Sequence, residues 1–143
     1  MFNRLKNVFY WLPVIWKDHN FDYEYIFIIL RHKLQKMRDD FRSKDAVGAE
    51  ANKRANEMEL AIEVLDRLTA QDYIINCTEN HDKKWGDIYW ENGIKRYYVK
   101  TEKDKIQEAK EYKKCCELAD LQEKQDLDYL FKLLRKHIYT WWD

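Results

Sequence analysis

Three glycines and one proline are all that 143 residues contain, against roughly 12% for the two together in average usage. A chain so poor in turn-formers cannot close the many tight turns of a sandwich or barrel, so the expectation is a mainly α fold. The glycines stand at 48, 86 and 93. Neither G-x-G-x-x-G nor G-x-x-x-x-G-K-[ST] can therefore be written, which excludes the usual glycine-built phosphate loops. Ser43 is the only serine and has no G-x-S-x-G around it, so nucleophile-elbow hydrolases are excluded too. His19, His32, His81 and His137 never stand four apart, and H-E-x-x-H is absent. Cys77, Cys115 and Cys116 form no C-x-x-C, are odd in number and include an adjacent pair. That set suits neither one structural zinc nor a simple disulfide frame; reduced thiols in a cytosol are the expectation.

Net charge is also missing. Twenty-six Lys and Arg balance 26 Asp and Glu, so no global field draws the molecule onto extended nucleic acid or anionic lipid. Long apolar runs are missing as well. Val8 to Trp16 is apolar behind Arg4 and Lys6, like a signal peptide, but Lys17-Asp18-His19-Asn20 follows where a small-x-small cleavage site belongs. Tyr25 to Leu30 is far short of the ~20 residues a spanning helix needs. The reading is no export segment, no membrane partner and a cytoplasmic protein.

What is present is apolar periodicity. Apolar residues make up 45% of the chain, enough for one folded domain of this length. Phe2, Leu5, Phe9 and Leu12 recur at helical spacing until Pro13 ends or kinks the element. Asp22 can cap a second helix with the stripe Tyr23, Ile26, Phe27, Leu30, Leu34, Met37 and Phe41, apolar all round in its first half and expected at the centre. Ala51, Ala55, Met58, Ile62 and Leu65 form a coiled-coil-like seam in a third helix, expected to run to Asp72–Ile75. A fourth helix starts near Glu102, and a fifth, capped by Asp126, carries Leu127, Leu130, Phe131, Leu134, Ile138 and Trp141. The expected fold is a helical bundle of about five helices with a β-hairpin insert near residues 87–99. As one domain it divides into N-terminal helices 1–76, loop and hairpin 77–100, and a C-terminal helical hairpin 101–143.

The insert is the most specific local signal. Ile88–Glu91 and Ile94–Val99 are strand-like and flank Asn92-Gly93, the dipeptide suited to a type I′ turn. A two-residue loop pairs Glu91 with Ile94, Trp90 with Lys95, Tyr89 with Arg96 and Ile88 with Tyr97. An isolated hairpin is marginal in water and must lean on helices, a partner or a ligand.

No catalytic set, cofactor or resident metal is indicated. Glu108-x-x-Glu111 and Glu117-x-x-Asp120 have the residue types of all-α nucleotide pyrophosphohydrolases, but both pairs fall on one helix and cannot converge on one ion. Solvated helix faces account for them. His81-Asp82 has the dipeptide of helical metal-dependent phosphohydrolases, with His32 and Asp120 as nominal partners, yet it falls in the polar stretch 80–84, read as loop. Cys77-x-x-x-His81 offers two zinc ligands without a second pair.

Rings interleaved with cations remain. Residues 83–100 hold Lys83, Lys84, Lys95, Arg96 and Lys100 against Asp87 and Glu91, a local excess of three positive charges. Rings stack on nucleobases while Lys and Arg neutralise phosphate. The candidate ligand-binding residues are Trp16, Lys17, Lys84, Trp85, Tyr89, Trp90, Lys95, Arg96, Tyr97 and Tyr98, and the candidate interface residues are Trp11, Trp141 and Trp142. The competing account is that these aromatics are core or a subunit interface, which also favours Tyr, Trp and Arg.

Tyr10-Trp11-Leu12-Pro13-Val14-Ile15-Trp16-Lys17-Asp18, Asp22-Tyr23 opening a long helix, and Lys136-His137-Ile138 with terminal Trp141-Trp142-Asp143 together resemble a group of small tailed-bacteriophage proteins. The likeness covers the two ends and the helix layout, and it brings no activity with it. It implies a phage gene acting in the bacterial cytoplasm, or a piece of the virion. The resulting expectation is a non-catalytic helical binding protein, homo-oligomeric, that sequesters a nucleotide-like signal such as a cyclic dinucleotide to counter host antiviral defence. Two alternatives stand beside it. One is a structural or assembly protein that binds only protein, its aromatic patches serving as a subunit interface, with a host or virion protein as a further candidate partner. The other is a metal-dependent nucleotide phosphohydrolase.

Overall fold

The computed structural model describes residues 2–17, 24–43, 48–70, 72–86, 88–98 and 101–141, with the side chains of Phe2, Asn3, Ile94 and Lys95 left aside. The elements run α1 (Phe2–Ile15), α2 (Glu24–Arg42), α3 (Ala49–Ala70), α4 (Asp72–Trp85), β1 (Ile88–Glu91), β2 (Ile94–Tyr97) and α5 (Glu102–His137). The fold is mainly α with a hairpin insert, as the scarcity of turn-formers requires. Contacts divide it into two compact units, Met1–Ala70 with Tyr129–Asp143, and Gln71–Asp128. The divisions expected at 76 and 100 do not coincide with these, and the second boundary falls inside α5.

In the first unit, α3 is the most deeply buried helix. Ala55, Met58, Ala61, Ile62, Val64, Leu65 and Leu68 are all buried on it, and the alanines let α2 approach closely. The central position expected for α2 therefore belongs to α3. On α2 only Tyr25 and Leu34 are buried, while Ile26 and Ile29 are exposed. Ion pairs flank the seam: Arg38 reaches both carboxylate oxygens of Glu59 at 3.1 Å, Arg42 meets the same group at 2.9 Å, and Arg31 meets Asp66 at 2.6 Å.

Helix α1 docks on α2 by a reciprocal pair of hydrogen bonds. The Tyr10 hydroxyl donates to the His32 carbonyl at 2.8 Å, and His32 Nε2–H donates to the Tyr10 carbonyl at 3.0 Å. The two rings stack with centroids 4.0 Å apart. Pro13 sits within the last turn and does not end the helix before Ile15. At the far end of the chain, Trp141 is only 2% exposed. Its indole N–H donates to Glu57 at 3.3 Å, and His137 Nδ1 lies 3.1 Å from the same carboxylate.

In the second unit, α4 runs through the polar stretch 80–84, where a loop is expected. Polar residues do not break a helix on their own, and the first real stop is Gly86, whose φ of +82° and N–H donated to the Asp82 carbonyl at 2.9 Å make a glycine C-cap. The fourth and fifth expected helices are one. Nothing between Ala119 and Leu127 is a glycine or proline. Asp126 does not cap a new helix; its carboxylate accepts the Tyr73 hydroxyl at 2.5 Å. The C-terminal helical hairpin is thus replaced by a single 36-residue helix. It opens at Thr101, whose hydroxyl oxygen accepts the Asp104 N–H at 3.1 Å. The proposed cap Asp22 of α2 lies outside the described residues. The hairpin register is the expected one, Ile88 with Tyr97 through Glu91 with Ile94. Asn92 and Gly93 take φ of 50° and 77°, the two positive values a type I′ turn needs.

Truncating Trp141 to Ala should cost about 3–5 kcal/mol in denaturant unfolding, as a large buried ring leaves a cavity and Glu57 loses one of its two donors. Trp16→Ala should stay within about 0.5 kcal/mol of wild type, because an exposed ring leaves no hole.

Candidate functional site

The candidate residues gather on two surfaces, one in each unit. The first is the ring-and-cation segment. Here the hairpin is tied to α4 through Tyr97, and α4 is tied to α5. Tyr97 is buried, donates its hydroxyl to Asp82 at 2.6 Å and meets the His81 ring edge-on at 4.8 Å. Tyr112 closes on His81 from another side at 5.3 Å. The His81 imidazole is buried with Nε2 3.4 Å from the Glu108 carboxylate; its Nδ1 has no hydrogen-bond partner among the described residues. Burial first, then the bond to Asp82 and that carboxylate's charge, pushes the Tyr97 hydroxyl well above the usual tyrosine range.

Glu111 gathers three donors. Lys84 donates to both its oxygens at 2.6 and 2.7 Å, Gln107 donates at 2.7 Å, and the Trp85 indole N–H donates at 3.0 Å. These bonds, led by that from Lys84, lower the carboxyl to about 2. The Lys84 ammonium also lies 5.4 Å from the Trp85 ring centre. Arg96 is 3.6 Å from Glu91 across the hairpin. The candidate cations Lys84 and Arg96 are thus matched to carboxylates of their own chain. Trp85 and Tyr97 are used by the fold, and Tyr89 and Tyr98 pack on each other at 4.6 Å. Among the described residues Trp90, at 68% exposure, and Tyr98, at 66%, are the most open rings of this segment. The Lys95 backbone pairs with Trp90.

The second surface is α1. Tyr10, Trp11 and Val14 are half-buried, and Trp11 packs edge-on against His32 at 5.0 Å. On the other side Leu5, Val8, Phe9, Leu12, Ile15 and Trp16 are exposed, Phe9 at 70% and Trp16 at 84%. Asn7, Val8, Trp11, Leu12 and Ile15 line a shallow depression of about 320 Å³. Lys17 is exposed at the end of this face. The three candidate interface residues thus part company: Trp11 belongs partly to the α1–α2 joint, Trp141 is core of the first unit, and Trp142 lies outside the described residues.

The acidic pairs do not form a site. Glu108 and Glu111 are engaged as above, and Glu117 and Asp120 are exposed on α5. Among the described residues no three His, Cys, Asp or Glu converge as metal ligands, and no helix is long and apolar enough to cross a membrane. The sequence reading of three unrelated thiols misses one juxtaposition: Cys77 and Cys115 face each other with Cα atoms 5.7 Å apart, within the span of a disulfide. Their helices lie side by side, a proximity that spacing in the sequence cannot reveal. Comparison with known proteins finds no similarity to a family model, a curated protein or a solved structure.

The Glu111 hub makes the second unit acid-sensitive. A carboxyl held below its ordinary 4.5 stabilises the fold fully above that value, and the contribution is lost as the pH falls toward about 2. Far-UV circular dichroism against pH should show stability declining over that window in wild type, with a shallower decline in Glu111→Gln.

Proposed function

We infer that the chain is a non-catalytic helical binding protein whose principal contact is with another protein, made through the exposed face of α1. The observation that carries this reading is the unbroken run of Leu5, Val8, Phe9, Leu12, Ile15 and Trp16 left in water along one side of a helix whose other side is docked. A contiguous apolar stripe with two large rings is costly to leave uncovered, and spacing of three and four is how a helix fills a groove. Its charge selects the partner. Residues 2–17 contain Arg4, Lys6 and Lys17 and no carboxylate, so the complement is an apolar groove rimmed by acidic side chains. Self-association through α1 alone sets like charges together, which makes a host or virion protein the better occupant than a second copy. The resemblance at the chain ends supplies the setting, a phage product in the bacterial cytoplasm.

Chemical crosslinking in host extract, compared between wild type and a Phe9→Ser, Ile15→Ser double variant, tests this. One partner should be captured by wild type, weakened by added salt and lost at least tenfold in the variant, whose own melting temperature is unchanged. Retention by the variant would dismiss α1 as the contact. Concentration-dependent oligomers abolished by the variant would assign the face to a second copy.

A second reading, capture of a nucleotide-like signal used in host defence, is favoured by one observation, the exposed Trp90 ring on the hairpin. Its anion-binding half is weaker, since Lys84 and Arg96 would have to leave Glu111 and Glu91. A labelled cyclic dinucleotide should then be retained unchanged by wild type and released by Trp90→Ala. No retention by wild type ends that reading, and hydrolysis moves it to phosphohydrolase chemistry.

A further inference from the structure

We propose that Cys77 and Cys115 form a reversible redox staple, oxidised and reduced by exchange with low-molecular-weight disulfides and thiols, which sets how firmly the hairpin and its two helices hold together. The two cysteines lie 38 residues apart on α4 and α5, with a Cα separation of 5.7 Å that a disulfide spans without backbone movement. The loop they close contains the whole hairpin. Both residues are half-buried rather than sealed in the core, and Cys116 beside them is a free, half-buried thiol.

The staple matters because the second unit has little else. Among the described residues its buried side chains are His81, Tyr97 and Ala119, against twelve in the first unit. A thin core leaves a larger share of cohesion to covalent closure. The exchange balances without further reagents. One cysteine thiolate attacks a small disulfide, forming a mixed disulfide and expelling a thiolate. The second cysteine thiolate then attacks the protein-side sulfur and expels the other. Two protein thiols are oxidised to one disulfide, the small disulfide is reduced to two thiols, and the two cysteine protons pass to the expelled thiolates.

Full-length protein equilibrated at graded ratios of reduced to oxidised glutathione, then acid-quenched, alkylated and weighed, reads the state directly. The oxidised end should show one alkylated cysteine and a crosslinked Cys77–Cys115 peptide, and the reduced end three alkylated cysteines, with interconversion in native buffer. Amide hydrogen exchange in α4, β1 and β2 should quicken at least tenfold on reduction while α2 and α3 are unmoved. Cys116→Ser should keep this behaviour, and Cys77→Ser or Cys115→Ser should exchange like the reduced form at every ratio. Three reactive thiols at all ratios would overturn the proposal. So would a crosslink that glutathione reduces only in denaturant, or equal exchange rates in the two states.

Discussion

Everything in the first unit follows from α3 having a side that cannot be left in water. Seven of its residues, from Ala55 to Leu68, are buried, and at roughly 1.5–3 kcal/mol for each large aliphatic side chain this is the dominant favourable term. The alanines among them decide geometry more than energy, because they bring α2 close enough for Arg38 and Arg42 to share Glu59. Once α2 is fixed on α3, His32 is fixed, and through the paired Tyr10 and His32 bonds so is α1. The exposed face of α1 is therefore held in place by contacts on its opposite side.

The second unit is held by a different balance. With few apolar side chains to bury, α4, α5 and the hairpin are joined by groups that act as multiple acceptors or donors: Glu111 takes Lys84, Gln107 and Trp85, while Asp82 takes Tyr97. Such bonds contribute modestly where water competes. They fix orientation well, and they explain why cations that look available along the chain are committed in three dimensions.

What the sequence made legible was local. Asn92-Gly93 dictated the turn and, through it, every pair in the hairpin, since a two-residue loop admits one register. The α3 seam was legible because small and large apolar residues alternated at the right step. What failed were inferences that needed distant partners. Asp126 has the composition of a cap, but Tyr73, 53 residues earlier, uses its carboxylate. His81 sits in a polar run and is nonetheless buried, because Tyr97 and Tyr112 cover it. Nothing near Cys77 announces Cys115. Trp141, weighed as interface, found its acceptor in Glu57, 84 residues away.

The choice between a ligand-binding and a protein-binding molecule turns on where exposed apolar surface and unmatched charge coincide. On the hairpin they separate: Trp90 is open, but Lys84 and Arg96 face carboxylates of their own chain, so an anion arriving there meets sites already neutralised. On the N-terminal segment an exposed apolar stripe and the cations Arg4, Lys6 and Lys17 occur together, with no acid within residues 2–17. Under the proposed reading, covering the stripe would supply the binding energy, and the cations beside it would bias the choice of partner toward acidic surfaces.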